Sequence, residues 1–312
     1  MNAAQISRYG DASTVSINNI PTPTLKDSQV LVRVHGASIN PFDTILREGL
    51  LKDSLPLEFP FTLGGDFAGE VVEMAPDVTH LKIGDHVYGQ AYGFKGGGTF
   101  AEFVAAPVSQ TAIMPKNLTF AEAGSLPLVG ASAIQALQDK LGLKAGHKIF
   151  IHGGAGGIGS IAIQIAKHLG AYVATTATGP GIDTVRQLGA DQVIDYKTQD
   201  FSTQLSDFDA VFDTVGGDDF TKSFAILKKG GKAATMAAQP SEDAAKAHGI
   251  TAVRMSTKVD TDTLNKLREL AEQSIVKPQI GKTFTLDQIA QAFTARESGS
   301  VSGKVALEVT HP

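Results

Sequence analysis

The sequence contains no cysteine and no tryptophan. Without cysteine, the chain can form neither a disulfide nor a thiolate metal site. No apolar run approaches the roughly 18 residues of a membrane-spanning helix, and the N-terminus lacks the basic-then-apolar layout of a secretory signal. A net charge of −5 gives no general attraction to nucleic acid or to anionic membranes. These absences favour a globular cytoplasmic protein without nucleic-acid or membrane partners.

Glycine, in contrast, is abundant, with 33 residues among 312. Many glycines indicate tight turns or close approaches of the backbone to a ligand. The chain is also longer than a typical single domain, so two domains are expected. The composition therefore favours a strand-rich, two-domain protein that binds a cofactor.

The periodicity changes along the chain. Before Pro115, alternating segments at 30–35, 69–74 and 100–104 predict β structure. After it, helical stretches such as 158–169 separate apolar runs, and six candidate strands lie at 148–152, 172–176, 192–195, 210–213, 232–236 and 250–254. Parallel neighbours need crossover helices, so this order predicts an α/β fold with a doubly wound parallel sheet. A helix near 263–273 follows, and the β-like tail at 304–309 is assigned to the first domain.

The central motif is a glycine loop, His152-Gly153-Gly154-Ala155-Gly156-Gly157-Ile158-Gly159, between a predicted strand and a predicted helix. Such a loop needs small residues because the chain turns sharply, its backbone approaches a pyrophosphate, and the helix packs closely on the strand. The helix N-terminus offers free N–H groups and a positive dipole end to the phosphates. The loop predicts dinucleotide binding, whereas His152 is expected to be a packed or hydrogen-bonded residue.

The end of the second predicted strand separates NAD from NADP. A carboxylate there would bind the ribose hydroxyls and repel a 2′-phosphate. This chain has Thr176-Ala177-Thr178-Gly179 instead, and the nearest acid, Asp183, is expected to cap the next helix. The pattern favours NADPH as the cofactor.

A set of short motifs resembles the zinc-independent medium-chain dehydrogenase/reductase superfamily, in its quinone oxidoreductase (zeta-crystallin-like) branch. The resemblance runs from about Arg8 to Val309 and adds these motifs to the glycine loop: Asn40-Pro41-Phe42-Asp43 with Arg47 and Gly49, Pro60, Gly64-Gly65-Asp66-Phe67-Ala68-Gly69, Gly84-Asp85-His86-Val87, Gly97-Gly98-Thr99-Phe100-Ala101-Glu102, Leu188-Gly189-Ala190-Asp191 and Gly303-Lys304-Val305. It implies a β-rich GroES-like catalytic domain formed from both chain ends (1–117 and 274–312) around a Rossmann domain (118–273). It also implies a homodimer through the sixth strand of the Rossmann sheet.

The resemblance further implies a zinc-free site. Zinc-dependent relatives bind the metal with a Cys, a His and a second Cys, and by register these positions fall here at Asn40, Gly65 and about Leu128. None of these residues can serve as the expected ligand, so no metal site is expected.

The resemblance assigns the cofactor contacts residue by residue. It places Ala155 to Ile158 at the pyrophosphate, Thr178 and Tyr196 beside the 2′-phosphate, and Gly216, Met236 and Ala237 at the nicotinamide, with Lys304 facing the cofactor cleft. The full set of predicted cofactor-binding residues is Gly153, Ala155, Gly156, Gly157, Ile158, Gly159, Thr176, Thr178, Tyr196, Gly216, Met236, Ala237 and Lys304. A basic residue that the family carries just after Thr178 has no counterpart here.

Asn40 and Asp43 are the candidate catalytic residues. Asn40 either offers its amide to the nicotinamide ribose or a substrate oxygen, or only caps the turn before Pro41. Asp43 and Asp66 are weaker candidates: Asp43 has a helix-capping alternative, and Asp66 is expected to secure a turn. Tyr92 could flank a planar acceptor, while core packing is expected for Tyr88.

Three functions remain open at the level of the sequence. The leading hypothesis is an NADPH:quinone oxidoreductase that transfers hydride to quinones or similar conjugated acceptors. The second is a reductase of activated C=C bonds in alkenals, enones or enoyl thioesters. The third is an NADPH-sensing binding protein with weak catalysis. In the first two cases the cofactor carries the difficult chemistry, and the protein supplies position and electrostatics.

Overall fold

A computed structural model describes residues 1–94 and 97–311. The chain divides into two compact units, which we call unit 1 (Met1–Leu128 and the segment from Val259 onward) and unit 2 (Val129–Lys258). No helix in the described part of the chain is both long and apolar enough to cross a bilayer.

The N-terminal part of unit 1 is built from short strands and two helices. These are β1 (Asn2–Ile6), β2 (Val15–Asn19), β3 (Gln29–Ile39), α1 (Pro41–Glu48), β4 (Phe61–Thr62), β5 (Asp66–Met74), β6 (His86–Gln90), β7 (Phe103–Pro107), β8 (Thr111–Ile113) and α2 (Phe120–Ala123). Strand β3 pairs antiparallel with β5 and β7, and β6 joins β5 to β8. Alternation along β3 turns Val30, Val32 and Val34 into the core.

The residues at the two ends of helix α1 explain where the helix begins and ends. Pro41 occupies the first helical position, where its missing N–H is not needed. The Asp43 carboxylate accepts a 2.7 Å hydrogen bond from the backbone N–H of Asn40, the residue that precedes the helix. Gly49 ends the helix with φ of 74°, a conformation that favours glycine.

Unit 2 has the predicted α/β order. Its elements are α3 (Pro127–Ile134, starting in unit 1 and continued by a π-helical segment, Gln135–Lys140), β9 (Lys148–His152), α4 (Gly157–His168), β10 (Tyr172–Ala177), α5 (Gly181–Gln187), β11 (Gln192–Asp195), β12 (Phe208–Asp213), α6 (Asp218–Lys222), β13 (Leu227–Thr235), α7 (Glu242–His248) and β14 (Thr251–Arg254). The strands are parallel, in the order β11-β10-β9-β12-β13-β14. The predicted doubly wound sheet is confirmed, and the strand order reverses beside β9, where such folds bind ligands.

The C-terminal segment returns to unit 1, as expected from its β pattern. It contains α8 (Thr261–Glu272), β15 (Ile280–Thr285), α9 (Ile289–Glu297) and β16 (Lys304–Glu308). Strand β16 lies between β15 and β3, parallel to the first and antiparallel to the second. Val305 and Leu307 thereby enter the core of unit 1.

The borders of the units differ from the domain borders expected at 117/118 and 273/274. Helix α8 belongs to unit 1 because its backbone accepts hydrogen bonds from that unit. The Tyr88 hydroxyl donates to the carbonyl of Leu264, and the Asn117 amide donates to the carbonyl of Ala271 at 2.7 Å. A helix after a Rossmann-like sheet has no sequence signal for which unit it joins.

The strand expected at 100–104 is displaced to β7. Residues just before β7 bond to the first strand instead, with Ala4 N–H donating to the Phe100 carbonyl at 2.8 Å and Glu102 N–H donating to the Asn2 carbonyl at 3.0 Å. Regular pairing with β3 starts at Phe103. The alternating pattern therefore spans a crossing between two sheets, which periodicity alone does not reveal.

Candidate cofactor loop and buried polar cluster

The glycine loop joins β9 to α4 at the carboxyl edge of the parallel sheet. Gly153 has φ of 83°, and Gly156 precedes α4 without a side-chain cap. Because no side chain covers this helix start, its N–H groups and positive dipole end are available to an anion. The geometry fits a pyrophosphate in the place that the sequence predicts.

Steric contacts explain the small residues of the loop. A Cβ on Gly159 would lie 2.3 Å from the Gly153 carbonyl oxygen, and one on Gly154 would lie 2.1 Å from Thr175 Oγ1. A Cβ on Gly156 would meet only the Gly153 oxygen, at 3.3 Å. Gly154 and Gly159 are therefore required by the packing of the loop itself, while the space beside Gly156 is open.

Thr176 fixes the loop from the neighbouring strand. Its Oγ1 accepts a hydrogen bond from Gly153 N–H at 2.9 Å, and its carbonyl accepts one from Gly154 N–H at 3.1 Å. The side chain is 1% exposed. Its predicted contact with the cofactor stays a prediction, and its observed partner is the glycine loop.

The tip of β10 lacks an acid, as the sequence indicates. Asp183 does not cap the following helix: it lies in the first turn of α5, where its carboxylate is 3.5 Å from the Arg186 guanidinium. The tip of β11 lies beside that of β10, since Ala177 pairs with Asp195. Tyr196, the next residue, is 56% exposed.

Two loops that carry predicted nicotinamide contacts are held by one carboxylate. Asp213, at the end of β12, accepts hydrogen bonds from the N–H groups of Val215 and Gly216 and from the Thr235 hydroxyl, at 2.6 to 3.1 Å. Burial alone would raise the pKa of Asp213, but these hydrogen bonds and His152 outweigh it, and the pKa is lowered. The carboxylate is thus anionic at neutral pH.

Thr235 and His152 complete this cluster. The Thr235 hydroxyl accepts hydrogen bonds from Ala237 N–H at 3.1 Å and Ala238 N–H at 3.0 Å. His152 is 5% exposed, with Nδ1 3.4 Å from the Asp213 carboxylate. It is thus a packed residue, as expected, and the loops at Gly216 and at Ala237 are tied to the same anion.

Unit 1 contains a second polar cluster, centred on Asn40. The residue is fully buried, and it occupies the position just before α1. Its Nδ2 donates to the Asp66 carboxylate at 2.9 Å, and its Oδ1 accepts from Lys304 Nζ at 2.6 Å. The amide therefore links an acid and a base that are 238 positions apart in the chain.

Asp66 does not secure a turn, contrary to expectation. It opens β5 fully buried, and its carboxylate also accepts from Gln90 Nε2 at 3.1 Å and from Leu128 N–H at 3.2 Å. Burial raises its pKa, although Lys304 and the hydrogen bonds oppose the shift. The register positions Asn40, Gly65 and Leu128 thus converge in space around Asp66, an acid whose burial and partners the sequence pattern does not reveal.

Lys304 brings a cation into this interior. Its Nζ also donates to the Ile39 carbonyl at 3.1 Å, and the residue is 5% exposed. Burial lowers the pKa of Lys304 to about 8, although the charges of Asp66 and Asp43 oppose the shift. The ammonium is stabilised by partners within unit 1, and its predicted contact with the cofactor stays a prediction.

Asp43 and Tyr92 each bury a polar atom without a partner. Asp43 Oδ1 and the Tyr92 hydroxyl make no hydrogen bond to any described residue. Burial raises the pKa of Asp43 to about 7, and the hydrogen bond from Asn40 N–H opposes this. Burial, with the charges of Asp43 and Asp66, raises the pKa of Tyr92 well above its ordinary value. The Tyr92 ring also lies against Gly65, where a Cβ would be 2.6 Å from the hydroxyl.

The cluster is a poor donor set for a metal ion. Within residues 1–94 and 97–311, no group of three or more His, Cys, Asp or Glu side chains is arranged to hold one. The converging positions supply an amide, a glycine and a backbone N–H, next to a buried ammonium.

The connections within both clusters are not visible in the sequence. Asp66 and Lys304 meet at Asn40 only because β16 pairs with β3. Asp213 ends one predicted strand, and Thr235 lies one residue before the end of another, each close to a predicted contact. That position at the carboxyl edge of a parallel sheet is the signal that could have found them.

Comparisons with known proteins cover both units. The alcohol dehydrogenase GroES-like domain family matches residues 26–116, and the family described as zinc-binding dehydrogenase matches residues 188–307. The 2-methylene-furan-3-one reductase of Solanum lycopersicum is 35% identical over 322 residues, which cover 100% of this chain and 79% of the relative. The chloroplastic NADPH-dependent alkenal/one oxidoreductase of Arabidopsis thaliana is 35% identical, over 98% of this chain and 79% of its own. The structure of the quinone oxidoreductase from Coxiella burnetii superposes with a TM-score of 0.91 and 34% identity, covering 99% of both chains.

Proposed function

Because the chain belongs to the medium-chain dehydrogenase/reductase superfamily, in its quinone oxidoreductase branch, we propose that it is an enzyme that transfers hydride from NADPH to quinones and related conjugated carbonyl acceptors. The observation that carries the proposal is the uncapped glycine loop between β9 and α4, followed along the same sheet edge by a β10 tip without an acid. The first feature fits a dinucleotide, and the second fits its phosphorylated form.

The residues of unit 2 bind and orient the cofactor. The loop from Gly153 to Gly159 holds the pyrophosphate through backbone N–H groups, and Gly216, Met236 and Ala237 line the nicotinamide. Asp213 and Thr235 keep these last two loops in place through the hydrogen bonds described above. When bound, the nicotinamide supplies the hydride, and the protein supplies its position.

The reaction proceeds without zinc in this proposal. A Lewis-acid site needs anionic or imidazole ligands and an open coordination position. In the cluster of unit 1, the Lys304 ammonium is 2.6 Å from Asn40 Oδ1, and Leu128 presents an N–H donor. Both groups repel a metal cation. Full activity after dialysis against a chelator is the expected result, and activity restored only by added zinc would contradict the proposal.

Asn40 and Asp43 are the polar groups that we assign to the acceptor chemistry. Asn40 keeps one amide N–H without an acceptor among the described residues, and Asp43 keeps Oδ1 without a donor. Reduction of a conjugated carbonyl requires a proton as well as a hydride, so a group that titrates near neutral pH is suited to hold that proton. If the folded Asn40→Ala variant reduces quinones and enones as well as the parent does, Asn40 has no part in the mechanism.

Reduction of activated C=C bonds is the second candidate function. It is favoured by the relatives from Solanum lycopersicum and Arabidopsis thaliana, which are named as a 2-methylene-furan-3-one reductase and an alkenal/one oxidoreductase. The two functions differ only in the acceptor, because a hydride reaches either an electron-poor quinone or the β-carbon of an enone.

A substrate panel distinguishes these functions. NADPH consumption is measured with phenanthrenequinone and with a series of 2-alkenals and enones, and each is repeated with NADH. Higher kcat/KM for quinones supports the leading function, and higher kcat/KM for alkenals supports the second. Equal or better use of NADH overturns the NADPH assignment, and tight NADPH binding without any turnover favours a sensor.

A homodimer through the edge strand β14 and a cytoplasmic location stay predictions.

A further inference from the structure

The preference for NADPH leaves one question of charge unanswered. A 2′-phosphate carries a charge of nearly −2, yet no Lys or Arg follows the tip of β10 between Thr178 and Ile182. The absence of a repelling acid permits a 2′-phosphate but does not attract it. On the basis of the proposed function, a positively charged side chain elsewhere in the chain must supply this attraction.

The topology of the sheet indicates where that residue lies. Strand β10 has β9 on one side and β11 on the other. In such a sheet the pyrophosphate sits at the loop after the first strand, here β9, and the adenosine ribose at the tip of the second, here β10. The third strand, β11, flanks that tip on the side away from the glycine loop. Neighbouring strands are about 4.8 Å apart, within reach of one side chain.

The residues after β11 stand beside that ribose position. Thr176 pairs with Ile194 and Ala177 with Asp195, so Tyr196 and Lys197 leave the sheet level with Thr178. Lys197 is fixed by a local turn, because its backbone N–H donates to the Asp195 carboxylate at 3.1 Å. The same turn has Asp195 N–H donating to Gln199 Oε1 at 2.9 Å. Asp195, the acid at the tip of β11, thus caps the turn that follows this strand.

The ammonium of Lys197 has no bonding partner among the described residues. The side chain is exposed, and it makes no ion pair or hydrogen bond with the described residues. Three other cations of unit 2 are engaged: Arg186 lies 3.5 Å from Asp183, Lys222 is 2.7 Å from Asp200, and Lys167 is 2.7 Å from Asp191. Lys197 is therefore the available cation at the tips of β10 and β11.

We propose that Lys197 binds the 2′-phosphate of NADPH and determines the preference of this chain for NADPH over NADH. In this proposal the Thr178 and Tyr196 hydroxyls donate hydrogen bonds to the same phosphate. The cation comes from the strand next to the expected one, so this chain compensates for its missing base after Thr178. A charge-assisted contact of this kind changes affinity by about tenfold or more.

The test measures binding, without turnover. Calorimetric titration with 2′,5′-ADP and with 5′-ADP isolates the 2′-phosphate, because the two ligands differ only there. The Lys197→Gln variant keeps a polar, slightly shorter side chain and removes its charge. We expect its Kd for 2′,5′-ADP to rise about tenfold and its Kd for 5′-ADP to stay unchanged. Lys197→Glu is expected to weaken 2′,5′-ADP further and to reverse the preference.

A matched control is Lys246→Gln, an exposed lysine on α7 of the same unit. It is expected to bind both ligands as the parent does, which excludes an effect of net charge alone. The contribution of Lys197 should also shrink at high salt, because exposed charges are screened. Retained preference for 2′,5′-ADP in Lys197→Gln, or an equal loss for both ligands, overturns the inference and leaves the proposed function intact. A parent protein that does not prefer 2′,5′-ADP overturns both the inference and the NADPH assignment.

Discussion

The two units differ in the groups that carry their charge. The cluster of unit 1 buries whole charged side chains, with Asp43, Asp66 and Lys304 all enclosed around Asn40. The glycine loop of unit 2 presents backbone N–H groups and a helix dipole, with no charged side chain in residues 153–159. Buried charges are costly unless their partners stay in place, whereas a helix N-terminus carries its partial charge at no such cost.

This difference separates stability from binding. Removing one group from the cluster leaves others buried without partners, so unit 1 should respond mainly in its free energy of unfolding. Changing the loop alters the space and the N–H groups offered to a ligand, so unit 2 should respond mainly in affinity. The variants below test whether that separation holds.

The largest effect is expected for Asp66→Ala. The change removes the acceptor of Asn40, Gln90 and Leu128 and leaves the Lys304 ammonium without its nearby anion. We expect the free energy of unfolding to fall by about 3 to 5 kcal/mol, measured by urea denaturation. The exposed Asp27→Ala is the control and should change it by less than about 0.5 kcal/mol. A loss below about 1 kcal/mol for Asp66→Ala would show that the cluster does not depend on its acid.

The second largest effect is expected in the glycine loop, where substitutions of Gly159 and Gly156 should have different consequences. In Gly159→Ala the new Cβ would lie 2.3 Å from the Gly153 oxygen, so the loop must move, and NADPH affinity should fall about a hundredfold, roughly 2.7 kcal/mol. In Gly156→Ala the Cβ has room within the protein and enters the ligand space. That variant should lose affinity while its stability changes by less than about 1 kcal/mol. NADPH fluorescence titration and urea denaturation of both variants give the comparison. Unchanged affinity in both would remove the loop from cofactor binding.

Thr235→Val tests whether unit 2 also has a position where stability dominates. The hydroxyl donates to Asp213 at 2.6 Å and accepts from Ala237 and Ala238 N–H, so its loss leaves several polar groups unpaired. The free energy of unfolding should fall by about 2 kcal/mol. Thr235→Ser retains the hydroxyl and should recover most of that loss. If serine loses as much stability as valine, the hydroxyl alone does not account for the effect.

The smallest effect, counted per pH unit, is a slope in the pH dependence of stability. The pKa of Asp43 is about 7 in the folded chain and is taken as its ordinary 3.8 in the unfolded chain. The folded state therefore binds the extra proton between these values, and this stabilisation is lost as the pH rises through about 7. Relative to Asp43→Asn, the parent should lose up to about 1.4 kcal/mol per pH unit across that window. Parallel slopes in the two proteins would place the proton elsewhere, and exposed Asp53→Asn serves as the control.

The sequence predicted the units unequally, for a physical reason. The strand at 192–195 and the helix near 158–169 were found almost to the residue, because local periodicity and glycine spacing decide both. The sequence predicts helix α8 on the side of the Rossmann domain, whereas long-range contacts, such as the hydrogen bond of Asn117 to Ala271, link it to unit 1.

In the candidate site, too, features set by local sequence were predictable and features set by long-range contacts were not. The glycine loop was predictable because all its parts are consecutive in the chain. The environment of Asn40 was not, since it joins Asp66 to Lys304 through the pairing of three strands. The convergence of Asn40, Gly65 and Leu128 came from family register, and the acid beside them became visible only in three dimensions.

The position of β16 has a consequence for how the protein is made. Ribosomes deliver residues 129–258 well before residues 304–308, yet β16 is an inner strand of its sheet, between β15 and β3. Until that tail emerges, Asp43 and Asp66 have no ammonium to neutralise them, and β3 exposes an unpaired edge. A nascent chain that stops short of Lys304 thus displays an open edge and uncompensated acids, the features that quality-control proteases and chaperones engage. Only translation through β16 closes this sheet and brings the Lys304 ammonium to Asn40.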